Sequence, residues 1–254
     1  MKLGTASQIV VGTEDLEASS LVYDRIGFRR IAEGNMPGPF IQYTDNSSLI
    51  LLTQDGMKYM GLIYFDKNML RNVDELMSRG VEFQQQTNDA AGNFFHGIFT
   101  TPDGVMLNLV NFDPGNMYQP DQKLINLGED DFKNVSKFPN QVLGIFGEFS
   151  VPVKDLDTSL DYWHSLGFEV LSKNDEPYPW SIISDGLNVI GLHQTTEFNV
   201  QAITYFAPDM QKRISSLKNL GLEDNINRFS GTGDSDKNAV LTTMENQHFF
   251  LFSF

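Results

Sequence analysis

The chain has 254 residues, a formal net charge of −15 at neutral pH and no cysteine. Because nucleic acids and anionic membrane surfaces are bound by basic proteins, this charge argues against both as partners. The missing cysteines exclude disulfides and thiolate metal ligands and fit a cytoplasmic protein. The chain contains no run of about 18 apolar residues, so no membrane span is expected. The first residues lack the apolar stretch of a signal peptide.

The first half of the chain predicts two successive units of the order βαβββ. Asp15 is suited to cap the first helix, which Gly27 ends, and Gly80 ends the second. Residues 94–97 are interpreted as a loop in which His96 is solvated or part of a lid. The predicted elements are strands at 8–13, 28–32, 40–44 and 49–53 around a helix at 15–26, then strands at 59–65, 81–85, 97–101 and 105–110 around a helix at 69–79.

The second half repeats the first at a nearly constant shift. Asp15, Tyr23 and Gly27 correspond to Asp155, Trp163 and Gly167, each 140 residues later. A register held over this length indicates an internal duplication. The stretch between the halves is rich in Pro, Asn and Asp, which predicts a linker with a short helix around 130–136. The predicted division is a first domain at 1–112, a linker at 113–141 and a second domain at 142–254.

Two motifs carry a resemblance to a known family. Each half opens with a strand, a helix capped by Asp-Leu and a Gly-Phe exit, and residues 101–109 read Thr-Pro-Asp-Gly-Val-Met-Leu-Asn-Leu. These motifs resemble the vicinal oxygen chelate superfamily, which includes glyoxalase I, bleomycin-resistance proteins and extradiol dioxygenases. The resemblance implies an α+β fold of four tandem βαβββ units, paired into two glyoxalase/bleomycin-resistance-like domains. It also implies that each domain closes a curved sheet around a cavity.

In this superfamily, divalent metal ligands project inward from the first and last strands of each unit. Placed by the resemblance, the first half has Gln8, Leu51, about Met60, and Asn108 at these positions, a set unable to hold a metal. The second half has Glu148, Gly191, Gln201 and Phe250, of which only Glu148 is a good ligand.

A displaced metal site in the second half is the alternative. His193 lies two residues beyond Gly191 and His248 two residues before Phe250, so strand alternation places both histidines on the inward face. Glu148, His193 and His248 could then bind zinc, iron, manganese or nickel, with Gln201 as a helper. The competing interpretation is a polar patch that lines a ligand pocket, with no metal or other cofactor.

Further residues are candidates for ligand binding. Tyr64 and Tyr205 occupy matching places on first strands and are expected to point into the cavities as hydrogen-bond donors. Trp180 either stacks on a planar ligand or packs in the core. The ligand-binding set predicted in this way is Gln8, Tyr64, Asn108, Trp180, Gln201 and Phe250.

Three functions follow from these patterns. The first is a metal-free protein that binds a small cationic or aromatic molecule, similar to the bleomycin-resistance branch. The second is a metal-dependent lyase or dioxygenase-like enzyme, in which Glu148 is a ligand or general base and Tyr205 orients the substrate. The third is a catalytically inactive interaction module. The partner expected is a small molecule, and the chain is expected to be a monomer or a homodimer.

Overall fold

The computed structural model describes residues 1–35, 38–118, 120, 129–229 and 237–253. Parts of all three predicted segments lie outside these residues: 36–37 of the first domain, 119 and 121–128 of the linker, and 230–236 and 254 of the second domain. No helix in the described ranges is long and apolar enough to cross a membrane.

Within the described residues up to 118, eight strands form one sheet with two helices. The sheet order is β2-β3-β4-β1-β5-β8-β7-β6, with β1 parallel to β4 and antiparallel to β5. The elements are β1 (Ala6–Thr13), α1 (Leu16–Arg25), β2 (Arg29–Gly34), β3 (Phe40–Thr44), β4 (Leu49–Gln54), β5 (Tyr59–Asp66), α2 (Met69–Ser78), β6 (Gln85–Asn88), β7 (Phe94–Thr100) and β8 (Met106–Asn111).

A connecting segment and a second sheet follow. The described part of the connection contains α3 (Glu129–Lys133), which fits the short helix expected there. The second sheet has the order β10-β11-β12-β9-β13-β16-β15-β14, the same as the first. Its elements are β9 (Ile145–Pro152), α4 (Leu156–Ser165), β10 (Glu169–Asn174), β11 (Trp180–Ser184), β12 (Val189–His193), β13 (Ala202–Phe206), α5 (Met210–Leu217), β14 (Ile226–Arg228), β15 (Ala239–Thr242) and β16 (His248–Phe252).

The first helix of each half begins and ends for the same local reasons. The Asp15 carboxylate accepts a hydrogen bond from the Ala18 amide at 2.9 Å, and Asp155 accepts one from the Thr158 amide at 2.8 Å. Each bond satisfies an amide that has no partner inside the helix. Gly27 and Gly167 follow the two helices with φ of 91° and 98°, a left-handed conformation that favours glycine.

Two of the predicted elements are wrong. The strand expected at 81–85 begins only at Gln85, because Val81 and Phe83 pack against the hydrophobic core instead of joining the ladder. The loop expected at 94–97 belongs to β7, where His96 pairs with Val110 of β8.

One hydrophobic core joins the two halves. It includes Tyr23 of α1 and Leu62 of β5 from the first half, and Trp163 of α4 and Ile203 of β13 from the second. The helices and one face of each sheet therefore pack on this shared core. We call the opposite face of each sheet its outer face. The architecture confirms the predicted α+β fold of four βαβββ units, two in each sheet.

Candidate functional site

Tyr64 and Tyr205 bind the two halves to each other. The Tyr64 hydroxyl donates to Asp185 Oδ2 at 2.7 Å, and the Tyr205 hydroxyl donates to Asp45 Oδ2 at 2.6 Å. Both tyrosines are fully buried, and burial together with the neighbouring carboxylate raises the pKa of each hydroxyl well above its ordinary value. The expectation that they point into the cavities is wrong. Leu62 and Ile203, two residues before them on β5 and β13, face the shared core, and strand alternation turns the tyrosines the same way.

Gln201 also contacts the other half. Its Nε2 donates to the backbone oxygen of Gly104 at 2.9 Å, in the turn between β7 and β8. The side chain is therefore directed to the first half and is not placed as a helper beside His193.

A buried acid–imidazole pair lies on the outer face of the second sheet. The Nε2 of His193, at the end of β12, lies 2.6 Å from Glu148 Oε1 on β9, and the two side chains are 14% and 7% exposed. Glu148 Oε1 also accepts from the Ser150 hydroxyl at 2.5 Å. Ser150 in turn contacts the Thr204 hydroxyl at 2.5 Å. The Glu148 carboxylate is thus held by an imidazole on one side and by a chain of two hydroxyls on the other.

Gly191 makes room for this pair. A Cβ at position 191 would lie 2.2 Å from the carboxylate carbon of Glu148. Any side chain at position 191 would therefore displace the carboxylate from its position against His193. The equivalent residue in the first half is Leu51, so the first sheet has no such space on its β4 strand.

Aromatic rings surround His193. Trp180 of β11 is its partner in the antiparallel ladder, so both side chains lie on the same face of the sheet. The ring centres of Tyr178 and Phe198 are 5.9 and 5.5 Å from the imidazole. Phe250 packs against Phe198 with ring centres 4.9 Å apart. Burial, and secondarily the negative charges of Glu148 and Glu197, raise the pKa of Tyr178 to about 12, so its hydroxyl stays protonated at neutral pH.

His248 lies on the same face, on strand β16, which β13 separates from β9. Its Nδ1 is 3.2 Å from the Thr242 hydroxyl, its partner in the β15–β16 ladder. Burial lowers the pKa of His248 below its ordinary value. The ring is thus held as a neutral imidazole against β15.

These residues do not fit the divalent metal that the resemblance implies. Glu148 and His193 bind each other directly and His248 is held at Thr242 of β15, so the three side chains do not converge on one point. Of the three other ligand positions, one is Gly191, one is Gln201, which is bonded to Gly104, and one is Phe250, which packs among phenylalanine rings. Among the described residues, no group of three or more His, Asp or Glu side chains is arranged to hold a metal ion.

On the outer face of the first sheet, Gln8 and Asn108 lie in one row. Gln8 pairs with Ile63 of β5, and Ile63 pairs with Asn108 of β8. His96 of β7 joins them, with its Nε2 3.1 Å from Asn108 Oδ1. Gln8 and Asn108 are the duplicated counterparts of Glu148 and Phe250, so the two outer faces have different chemistry at the same positions.

The sequence patterns did not point to Ser150, Thr204 or Phe198 as members of the site. Ser150 and Thr204 carried a sequence signal, because both are polar at positions of first strands where their duplicated counterparts, Val10 and Ile63, are apolar. Phe198 lies in the connection between β12 and β13, and no pattern in the sequence marked it as a site residue.

No family model matches the chain, and no curated protein sequence matches it. Solved structures with a similar fold do match the chain. The chain is similar over its full length to the 2,3-dioxygenase LapB from Pseudomonas sp. KL28, with 11% identity, 93% of that protein covered and a TM-score of 0.56. The corresponding values for homoprotocatechuate 2,3-dioxygenase from Arthrobacter globiformis are 12%, 80% and 0.59, again over the full chain. For a mutant of the Brevibacterium fuscum enzyme they are 12%, 71% and 0.55, over 98% of the chain.

At such low identities the likeness concerns the fold and not the reaction. It agrees with the element order, the duplicated sheets and the resemblance in the sequence. The chain therefore has the fold of the extradiol dioxygenases and of the vicinal oxygen chelate superfamily.

Proposed function

We propose that the chain binds a small organic ammonium compound with an aromatic ring, without a metal, on the outer face of the second sheet. One observation carries the proposal: the buried Glu148–His193 pair lies against aromatic side chains, and within the described part of the chain His193 Nδ1 is buried without a hydrogen-bond partner. A buried polar atom of this kind is unfavourable unless a ligand or a water satisfies it.

The chemistry of the pair selects the ligand. When Nε2 donates its proton to Glu148, the Nδ1 of a neutral imidazole is an acceptor. A ligand N–H can donate to it, and the charge of a protonated amine is attracted by the Glu148 carboxylate. The rings of Tyr178, Trp180 and Phe198 can stack on an aromatic ligand and attract a cation through their faces.

Tyramine and its uncharged analogue 4-ethylphenol test this proposal by isothermal titration in buffer containing EDTA. We expect tyramine to bind at least tenfold more tightly than 4-ethylphenol, because only tyramine carries the charge that Glu148 attracts. Glu148→Gln should weaken tyramine binding by about tenfold or more, as expected for the loss of a charged hydrogen bond. The matched control is Glu33→Gln, which removes an exposed carboxylate of β2 and should leave the affinity unchanged.

Two results would contradict the proposal. Equal tyramine affinity in Glu148→Gln and the wild type would remove the pair from binding. Stoichiometric zinc, iron, manganese or nickel in protein purified without added metal, and its loss in His193→Ala, would favour a metal-dependent enzyme instead. Both measurements use the whole chain, and the thermal unfolding midpoint of each variant checks that it folds.

A further inference from the structure

We propose that the outer face of the first sheet is a second binding site, for an uncharged molecule with a carbonyl next to an N–H group, such as a lactam. Gln8, Ile63, Asn108 and Ile98 form one row across strands β1, β5, β8 and β7. Their neighbours Ile9, Leu62 and Leu107 face the shared core, so by strand alternation this row lies on the outer face.

Two polar atoms of this row need a partner that the described residues do not supply. Gln8 and Asn108 are each only 3% exposed. The Oε1 of Gln8 and the Nδ2 of Asn108 are buried, and neither has a hydrogen-bond partner among the residues that the structure describes. The Asn108 amide is oriented by His96, whose Nε2 lies 3.1 Å from Oδ1, and this leaves Nδ2 as the unpaired atom. The row thus has one unpaired acceptor and one unpaired donor that a bound molecule must satisfy.

The two atoms define what the ligand offers. Gln8 Oε1 accepts a hydrogen bond, so the ligand supplies an N–H or O–H group. The Nδ2 of Asn108 donates one, so the ligand supplies a carbonyl oxygen. Ile63 lies between the two amides in the row, which places an apolar side chain under the ring of the ligand.

The proposed site on the first sheet differs in charge from the one on the second sheet. Gln8 stands where the second half has Glu148, so the carboxylate is replaced by a neutral amide. His96, the partner of Asn108, is largely buried, and burial lowers its pKa below the ordinary value, which keeps the ring uncharged at neutral pH. Leu51 and Ile98 add partly exposed apolar side chains on the same face. An ammonium ligand would lose its hydration here without gaining a counter-charge.

The probe for this site is 2-pyridone, with N-methyl-2-pyridone as the analogue that lacks the N–H donor. Titration is followed by NMR on ¹⁵N-labelled whole chain, through the side-chain amide signals of Gln8 and Asn108. We expect both signals to shift with 2-pyridone, and the N-methyl compound to bind about tenfold more weakly because one hydrogen bond is lost.

Two variants test whether 2-pyridone binds at this row. Gln8→Met keeps the length of the side chain and removes the acceptor, and it should weaken 2-pyridone binding by about tenfold. Gln211→Met makes the same change at an exposed position of α5 and should have no effect. Tyramine affinity should be the same in both variants, and the thermal unfolding midpoint of each variant checks that it folds.

Two outcomes would overturn the inference. If 2-pyridone shifts neither amide signal at concentrations of tens of millimolar, or if Gln8→Met binds it as well as the wild type, then only water occupies the row. Because the probe and the variants differ from those of the second sheet, a failure of tyramine binding does not affect this test.

Discussion

His96 is a buried titratable group whose protonation opposes folding. Its imidazole lies in β7 against Asn108, and burial lowers its pKa while the hydrogen bond to Asn108 opposes this only in part. The unfolded chain titrates near the ordinary histidine value of about 6.5. It therefore takes up a proton at a higher pH than the folded protein does. This contribution to stability is present above that pH and is lost as the pH falls toward the lower folded value.

Replacing His96 by Gln should reduce the acid sensitivity of the protein. The amide of His96→Gln can still bind Asn108 but does not titrate, so the free energy of unfolding should fall less between pH 7 and pH 5 than in the wild type. Urea denaturation at a series of pH values measures this. The control is His164→Gln, at an exposed position of α4, whose profile should follow the wild type. An unchanged profile in His96→Gln would show that other groups cause the acid sensitivity.

At the scale of single elements, a side chain of β9 fills the space that a glycine of β12 leaves open. The strands are parallel, Gly191 lies beside Ser150, and the Glu148 carboxylate occupies the volume that a side chain at 191 would need. A glycine in the middle of a strand weakens the strand by itself. Here its small size lets the carboxylate reach His193 of the same strand β12.

Gly191→Ala should therefore break the Glu148–His193 hydrogen bond. The added methyl group displaces the carboxylate, and we expect a loss of about 1–3 kcal/mol in the free energy of unfolding, typical of overpacking. In a Glu148→Ala background the same substitution meets no carboxylate and should cost little, which a double-mutant cycle measures. The imidazole ¹⁵N shifts of His193 give a second readout. Equal costs in both backgrounds would show that the carboxylate is not the obstacle.

At the scale of the whole molecule, matching contacts join the halves in both directions. Tyr205 of the second half donates to Asp45 of the first, and Tyr64 of the first donates to Asp185 of the second. The turns that follow β7 and β15 also join the two halves. Asp103 accepts from the Trp163 indole at 3.0 Å, and Glu245 accepts from the Glu14 amide at 2.8 Å. The halves are thus joined by one equivalent pair of tyrosine–aspartate bonds, and acidic residues of the two turns add a bond in each direction.

Tyr205→Phe tests this interface. It leaves Asp45, which is 2% exposed, without the donor to its Oδ2, and should lower the free energy of unfolding by about 1.5–3 kcal/mol. Tyr23→Phe is the matched control. Tyr23 is also fully buried, but its hydroxyl has no hydrogen-bond partner within the described ranges, so its removal should be neutral or slightly stabilising. Urea denaturation of both variants compares them. Equal midpoints would show that the bond to Asp45 contributes nothing.

Local patterns in the amino-acid sequence were enough to predict the order of the elements and the duplication. Helix caps such as Asp15 and Asp155, turn glycines such as Gly27 and Gly167, and alternating strands act over a few residues, so they can be recognised without knowing the fold. The family resemblance predicted Gln8 and Asn108 on one face of the first sheet and Glu148 on one face of the second, and strand alternation added His193 to that face.

The contacts of these side chains depend on how the two sheets pack together. Alternation restricts a residue such as Tyr205 to one of two faces, but whether that face lines a cavity or packs on the other half depends on how the sheets pair. Likewise, Glu148 binds His193 because Gly191 leaves space between β9 and β12, which are about 40 residues apart in the chain. Contacts between distant strands depend on packing and register, and these are properties of the assembled core rather than of any local stretch.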